Sequence, residues 1–263
     1  MHPYLFETEF FSVPMYGVMV ALGYVLGVLY VRHMNKSAGL TSDQFWNLVT
    51  ALVLGAVLGG KLLYVLLYWH DFGSGFFDRL AYAAKDFRYG FVFYGGLAGA
   101  FLSGAWYCRK IGLKFWFLAD FFAPAIALGH AIGRMGCYFA GCCYGRPSPA
   151  WAGFSFNHPQ CLVPWNLRGV PLYPVQLFEV LGNILLFAVL HWLLKRRADR
   201  FKRSGALMLG YFGGYAILRF FVEFFRGDDR GGFAAGLSPS QIAALAAVCF
   251  IFAAYRFLPA RKG

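Results

Sequence analysis

Gly129-His-Ala-Ile-Gly-Arg-Met-Gly-Cys-Tyr-Phe-Ala-Gly-Cys-Cys-Tyr-Gly-Arg146 closes an apolar run that begins at Phe115. It places His130, Arg134 and the cysteines Cys137, Cys142 and Cys143 where a hydrophobic segment should be leaving lipid. An arginine at bilayer depth costs at least ~2.5–3.5 kcal/mol, so Arg134 requires a partner, water or a function. The run from Phe115 to about Cys143 is longer than the ~20 residues a helix needs to cross hydrocarbon. Pro124 is placed to kink it, and its glycine-rich end to unwind near the outer headgroups.

Working outward, the whole chain carries the same apolar excess. Its 263 residues are 59% hydrophobic and 20% aromatic but only 14% charged, with mean hydropathy +0.54. A soluble domain carries about 25% charge. This much apolar surface cannot be hidden in a core, so lipid must solvate much of it. The net charge of +12 lies in short clusters between apolar runs, the pattern of membrane orientation and not of a nucleic-acid partner.

Seven apolar runs predict an all-α integral membrane protein, a single polytopic domain over residues 1–263. The runs are about Pro14–Val31, Phe45–Trp69, Gly90–Cys108, Phe115–Cys143, Pro174–Leu194, Gly205–Phe225 and Ser240–Leu258. A polar loop, His70 to Arg88, precedes the third, and an irregular external arm is expected over residues 144–172. Glu7 and Glu9 precede the first run, with no basic residue before it, which is unlike a cleaved secretory signal. Arg32, His33 and Lys36 follow that run, and Lys195-Arg196-Arg197 follow the fifth. Alternating the spans puts roughly twice as many Lys and Arg on one side, predicting the N-terminus outside and the C-terminus cytoplasmic. Neither an internal repeat nor a low-complexity segment is visible.

Five ionisable residues inside the runs fall in the outer half of the bilayer: Lys61, Arg134, Glu179, Arg219 and Glu223. Arg219 and Glu223 are four apart and can pair on one helical face. Three cations against two carboxylates leave a positive surplus where lipid phosphates lie, and arginine's fork suits phosphate. His130 sits one turn before Arg134 and reads as an interior histidine or a proton acceptor. Asp120 reads as structural. Gly55, Gly59, Gly60, Gly95, Gly96 and Gly99 have the spacing of close helix packing. Tyr16 reads as an interfacial tyrosine.

The cysteines admit several readings. Cys108 and Cys249 are small residues of apolar runs. Cys137-x4-Cys142-Cys143 fits zinc-ligand spacing poorly, so no metal and no cofactor is expected. A disulfide from Cys142 or Cys143 to Cys161 is a second reading, and a reactive thiol beside arginine a third.

Gly133-Arg134-Met135-Gly136, continued by Phe139, Gly141 and Gly145, resembles the signature of the prolipoprotein diacylglyceryl transferases. Tyr16-Gly17, Leu58-Gly59-Gly60-Lys61, Phe93-Tyr94-Gly95-Gly96, Tyr173-Pro174-Val175-Gln176-Leu177-Phe178-Glu179, Val222-Glu223-Phe224-Phe225-Arg226 and Gly236-Leu237-Ser238 are similar to further segments of that family. The resemblance covers nearly the whole chain. It implies an enzyme of the bacterial cytoplasmic (inner) membrane, with its site toward the outer leaflet. The implied reaction moves diacylglyceryl from phosphatidylglycerol to the lipobox cysteine of a prolipoprotein.

On that resemblance Arg134 and Arg219 hold the phosphate, Lys61 replaces an arginine, and Glu223 orients Arg219. Tyr16, Gly133, Gly136, Gly145, Gln176 and Glu179 line the substrate cavity. The family's histidine before Gly-Gly is Tyr94 here, its asparagines are Cys137 and Ala140, its glutamate is Cys142, and its histidine before proline is Tyr173. A phenol is a weak base at neutral pH, so Tyr94 or His130 is left to handle the thiol proton. A transferase with another acceptor, or a non-catalytic lipid-binding or thiol-redox membrane protein, is the alternative.

Overall fold

The fold is known from a computed structural model that describes residues 2–8, 11–72, 75, 90–196, 203–228 and 236–260. Seven α-helices make up most of the described chain: α1 (Met15–Ala38), α2 (Ser42–Leu67), α3 (Phe93–Lys110), α4 (Phe115–Ala140), α5 (Val175–Arg196), α6 (Ala206–Val222) and α7 (Pro239–Phe257). All except α3 are long and apolar enough to cross a membrane. α3 has 18 residues and ends in Arg109 and Lys110. The all-helical, membrane-spanning expectation holds.

Local chemistry sets the helix ends. Capping boxes start α2 (Thr41 with Gln44) and α7 (Ser238 with Gln241), each satisfying two backbone donors that helix geometry leaves orphaned. α1 runs past the expected Val31 to Ala38 and stops where Gly39 turns left-handed, so Arg32, His33 and Lys36 lie on the helix. Lys36, in the last turn, suits the negative end of its dipole. α4 stops at Ala140, three residues short of the expected Cys143, because Gly141 adopts φ +75°. α6 gives way to one 3-10 turn, Glu223–Phe225. A hairpin, β1 (Tyr4–Glu7) with β2 (Ser12–Pro14), precedes α1; nothing in the composition marked it.

The chain gathers into two compact units, Met1–Met34 with Trp116–Gly263, and Asn35–Phe115. In the second, α2 and α3 meet through glycines. A Cβ at Gly99 would run into the Gly55 carbonyl, and one at Gly95 into the Gly59 carbonyl. The glycine spacing is therefore close packing, as read from sequence.

In the first unit α1 and α4 also cross at glycines, since a Cβ on Gly23 would stand 2.8 Å from the Gly129 carbonyl oxygen. The segment after α4 is irregular, as expected, yet it has a core of its own. Phe156, Cys161, Val163 and Leu172 are buried together, with Tyr138 of α4 packed on them. The short ladder β3 (Phe154–Ser155) with β4 (Pro171–Leu172) ties its ends. None of the six cysteines is in a disulfide, so the reading that bridges Cys142 or Cys143 to Cys161 is corrected: Cys161 is buried in the arm's core. Most of the loop before α3, the basic stretch from Arg197 to Lys202, Glu9, and Asp229 with Arg230 lie outside the described residues.

Asp120 confirms a structural role with a definite mechanism. α6 begins after Gly205, which has no side chain to cap the helix. The buried Asp120 carboxylate on α4 supplies the cap, accepting from the N–H groups of Gly205 (2.9 Å), Leu207 (2.9 Å) and Met208 (3.2 Å). Negative charge at a helix N-terminus adds to those bonds. Asp120→Ala should cost about 1–3 kcal/mol, the range for orphaned buried donors. Amide exchange read by mass spectrometry should then speed up first at Leu207 and Met208.

Candidate active site

Gln176, Glu179 and Asn183 recur at helical spacing on α5, and none has any exposed surface. A stripe of buried polar groups on an apolar helix must face protein partners. Glu179 finds three. Its Oε2 takes an ion pair from Arg134 Nη2 of α4 at 2.7 Å and a hydrogen bond from the Tyr215 hydroxyl of α6 at 3.2 Å. Its Oε1 lies 3.4 Å from Arg226 Nη1. Tyr215 also accepts from Arg134 at 3.4 Å, which closes the triangle.

Arg226 extends this group in two directions. Asp228 binds it through two oxygens, at 2.8 Å from Nε and 2.7 Å from Nη2. Glu223 Oε2 stands 3.8 Å from its Nε and 2.6 Å from Arg219 Nη1. Ser238, the cap of α7, donates to Glu223 at 2.8 Å, and Arg219 donates to Ser240 at 3.3 Å. Arg134, Glu179, Arg226, Glu223 and Arg219 thus form one continuous chain of charges. The Arg219–Glu223 pair is present as expected. In this chain of charges three guanidiniums, of Arg134, Arg219 and Arg226, meet three carboxylates, of Glu179, Glu223 and Asp228.

His130 joins the edge of the network. Its Nδ1 is 2.9 Å from the Tyr211 hydroxyl, and its ring lies 4.5 Å from that of Tyr215. Gly136 is forced by packing, because a Cβ there would come within 3.2 Å of Tyr16 Cα; this contact also brings Tyr16 to the motif. A Cβ at Gly133 would meet nothing within 4 Å. Gly145 lets two strands of backbone close together, since a Cβ would strike the Tyr173 carbonyl. The chain there pairs with Arg226, with Arg146 N–H bonded to the Phe225 carbonyl at 2.9 Å.

The end of α4 folds the cysteines onto one another. With Gly141 left-handed, the Cys142 N–H reaches back to the Cys137 carbonyl at 3.2 Å, the six-to-one bond of a Schellman cap. Cys143 is itself left-handed at φ +57°, a conformation that costs a non-glycine residue of order 1–3 kcal/mol. Gln176 Nε2 pins the Cys142 carbonyl at 2.8 Å. The sulfurs of Cys137, Cys142 and Cys143 lie within 4.8 Å of one another.

The sequence of the family described as prolipoprotein diacylglyceryl transferase matches residues 3–257. The chain belongs to that family. A phosphatidylglycerol–prolipoprotein diacylglyceryl transferase of Clostridium tetani is 34% identical over 260 residues, covering 98% of this chain and 99% of the relative. One from Clostridium perfringens, numbered 2, is 35% identical over 216 residues, 82% of this chain and 80% of the relative. One from Vibrio atlanticus is 34% identical over 248 residues, 92% and 85% of the two chains.

Within this member of the transferase family, the first unit unites Tyr16, His130, Gly133, Arg134, Gly136, Gly145, Gln176, Glu179, Arg219 and Glu223. Lys61 and Tyr94 belong to the second unit. There Lys61 is buried, with Nζ 5.3 Å from the centre of the Tyr64 ring and 5.8 Å from that of Phe91. Tyr94 is 74% exposed, its ring edge-on to Phe93. Sequence reasoning assigned no role to Arg226, Tyr211, Tyr215, Asp228 or Ser238. Tyr211, Tyr215, Arg219 and Glu223 recur every fourth residue, and that polar stripe was the available signal.

Glu179→Gln should leave Arg134 and Arg226 facing an uncharged amide. The loss should be about 3–5 kcal/mol in unfolding measured in detergent, as for one partner removed from a buried pair. Asp228→Asn should cost clearly less, because the Asp228 side chain is 20% exposed whereas Glu179 has no exposure.

Proposed function

We propose that this chain transfers diacylglyceryl from phosphatidylglycerol to the lipobox cysteine of a prolipoprotein, at the outer leaflet of the bacterial cytoplasmic membrane. The N-terminus lies outside in this reading. The observation that carries it is Arg134. Its polar contacts with described residues all pass through Nη2, to Glu179 and Tyr215, so Nε and Nη1 keep their donors for a ligand. The guanidinium is held in place before any ligand arrives, the preorganisation that makes charge stabilisation effective.

The acceptor sulfur attacks the glyceryl carbon, the carbon–oxygen bond to phosphate breaks, and glycerol phosphate departs. A thiol of pKa ~8.5 has to lose its proton, and the leaving phosphate needs cationic donors. Arg134 and Arg219 grip that phosphate by forked hydrogen bonds. Glu179 and Glu223 fix their orientation, while Arg226 joins the two pairs. Gln176 holds the motif turn, and Tyr16 and Gly133 border the lipid. Within the first unit, His130 is the nitrogen candidate for handling the proton.

Purified chain, phosphatidylglycerol and a synthetic lipobox peptide should give peptide with the mass of one added diacylglyceryl group. Arg134→Ala should lower the rate by roughly 10²–10³-fold, the cost of losing one charge-stabilising donor. No mass gain, in conditions where the Clostridium tetani relative gives it, removes this reading.

A further inference from the structure

The three cysteines at the end of α4 are used by nothing above. Their spacing argued against a metal, yet the Schellman turn at Gly141 and the left-handed Cys143 bring all three sulfurs within 4.8 Å of one another. Thiolates bound to zinc at about 2.3 Å stand roughly 3.8 Å apart, so a small closure completes three corners of a tetrahedron. The scaffold under them is fixed. Cys137 is on the helix, Gln176 pins the Cys142 carbonyl, and the Tyr144 carbonyl accepts from Gly227 at 3.1 Å. Arg226 pairs with Gly145, two residues after Cys143. Three thiolates around a divalent ion carry one net negative charge, which Arg226 offsets. Arg134 lies one helical turn before Cys137 and so shares its side of α4.

We propose that Cys137, Cys142 and Cys143 bind a thiophilic cation of the Zn²⁺ class, whose fourth position takes the sulfur of the acceptor cysteine. The acceptor's identity rests on the transferase reading; the metal site does not. Zinc sites that do chemistry keep one position open, and a coordinated thiol is deprotonated outright. The acceptor thiol then loses its proton without needing a side-chain base. Each site thiol, and then the acceptor thiol, gives its proton to water on binding. A lone pair of the bound acceptor sulfur forms the bond to the glyceryl carbon. The carbon–oxygen bond breaks with its electrons leaving on glycerol phosphate beside Arg134. The neutral thioether is a weak ligand and departs, and the ion stays.

The test uses full-length, reduced protein, stripped by a chelator and reloaded with Co²⁺ as an optical probe. One ion per chain should bind, with thiolate-to-cobalt charge-transfer bands and the visible bands of a tetrahedral centre. A lipobox peptide should strengthen the charge-transfer band, and the same peptide with serine for cysteine should not. Cys142→Ser should weaken the bands. If that variant does not fold, zinc-dependent protection of the three thiols from maleimide, mapped on the unaltered chain, gives the same information. Chelation should slow transfer by roughly 10²-fold, as for loss of a proton acceptor, and zinc should restore it.

Absence of thiolate bands while all three thiols react freely overturns the proposal, as does a disulfide among them in untreated protein. Undiminished transfer by metal-free chain also overturns it and leaves the transferase reading intact. Cobalt and peptide-sulfur binding without transfer would sink that reading and keep the metal site.

Discussion

A carboxylate with no exposed surface, Glu179, is the constraint on which the first unit depends. Burying that charge is tolerable only if cations and hydroxyls surround it in good geometry. Arg134, Arg226 and Tyr215 do so from α4, from the turn after α6 and from α6 itself, which fixes how those elements stand against α5. The pairings have a chemical consequence. Each carboxylate engages its arginine through part of the fork, which holds the guanidiniums of Arg134 and Arg219 in set directions.

The backbone around the motif follows from the same requirement. Residues 144–146 run beside 225–227, and Gly145 is there because no side chain fits between the Tyr173 and Phe225 carbonyls. That pairing delivers Arg226 to Glu179. At the end of α4, a single left-handed glycine converts a helix terminus into a turn that stacks three thiols.

Local patterns were enough to reveal much of this protein. Apolar runs of membrane length, read with a low charge content, predicted seven spans; all seven are helices, because a helix satisfies its own backbone in lipid, and six of them are long and apolar enough to cross. The Arg219–Glu223 pair was legible because four residues make one helical turn, and the glycines of α2 and α3 were legible for the same reason. The motif residues stood out as costly polar groups in an apolar setting.

Tertiary structure decided what depends on distant groups or on one dihedral angle. Arg134 meets Glu179 across 45 positions of sequence, and Arg226 meets it across 47, so no periodicity could announce either contact. Asp120 caps a helix that starts 85 residues later, a service visible only once α4 and α6 are packed. The cysteine spacing departs from the Cys-x2–4-Cys pairs of zinc sites, so the sequence does not announce that the three sulfurs meet. The positive φ at Gly141 and Cys143 changed the direction of the chain, and with it the distance between the sulfurs.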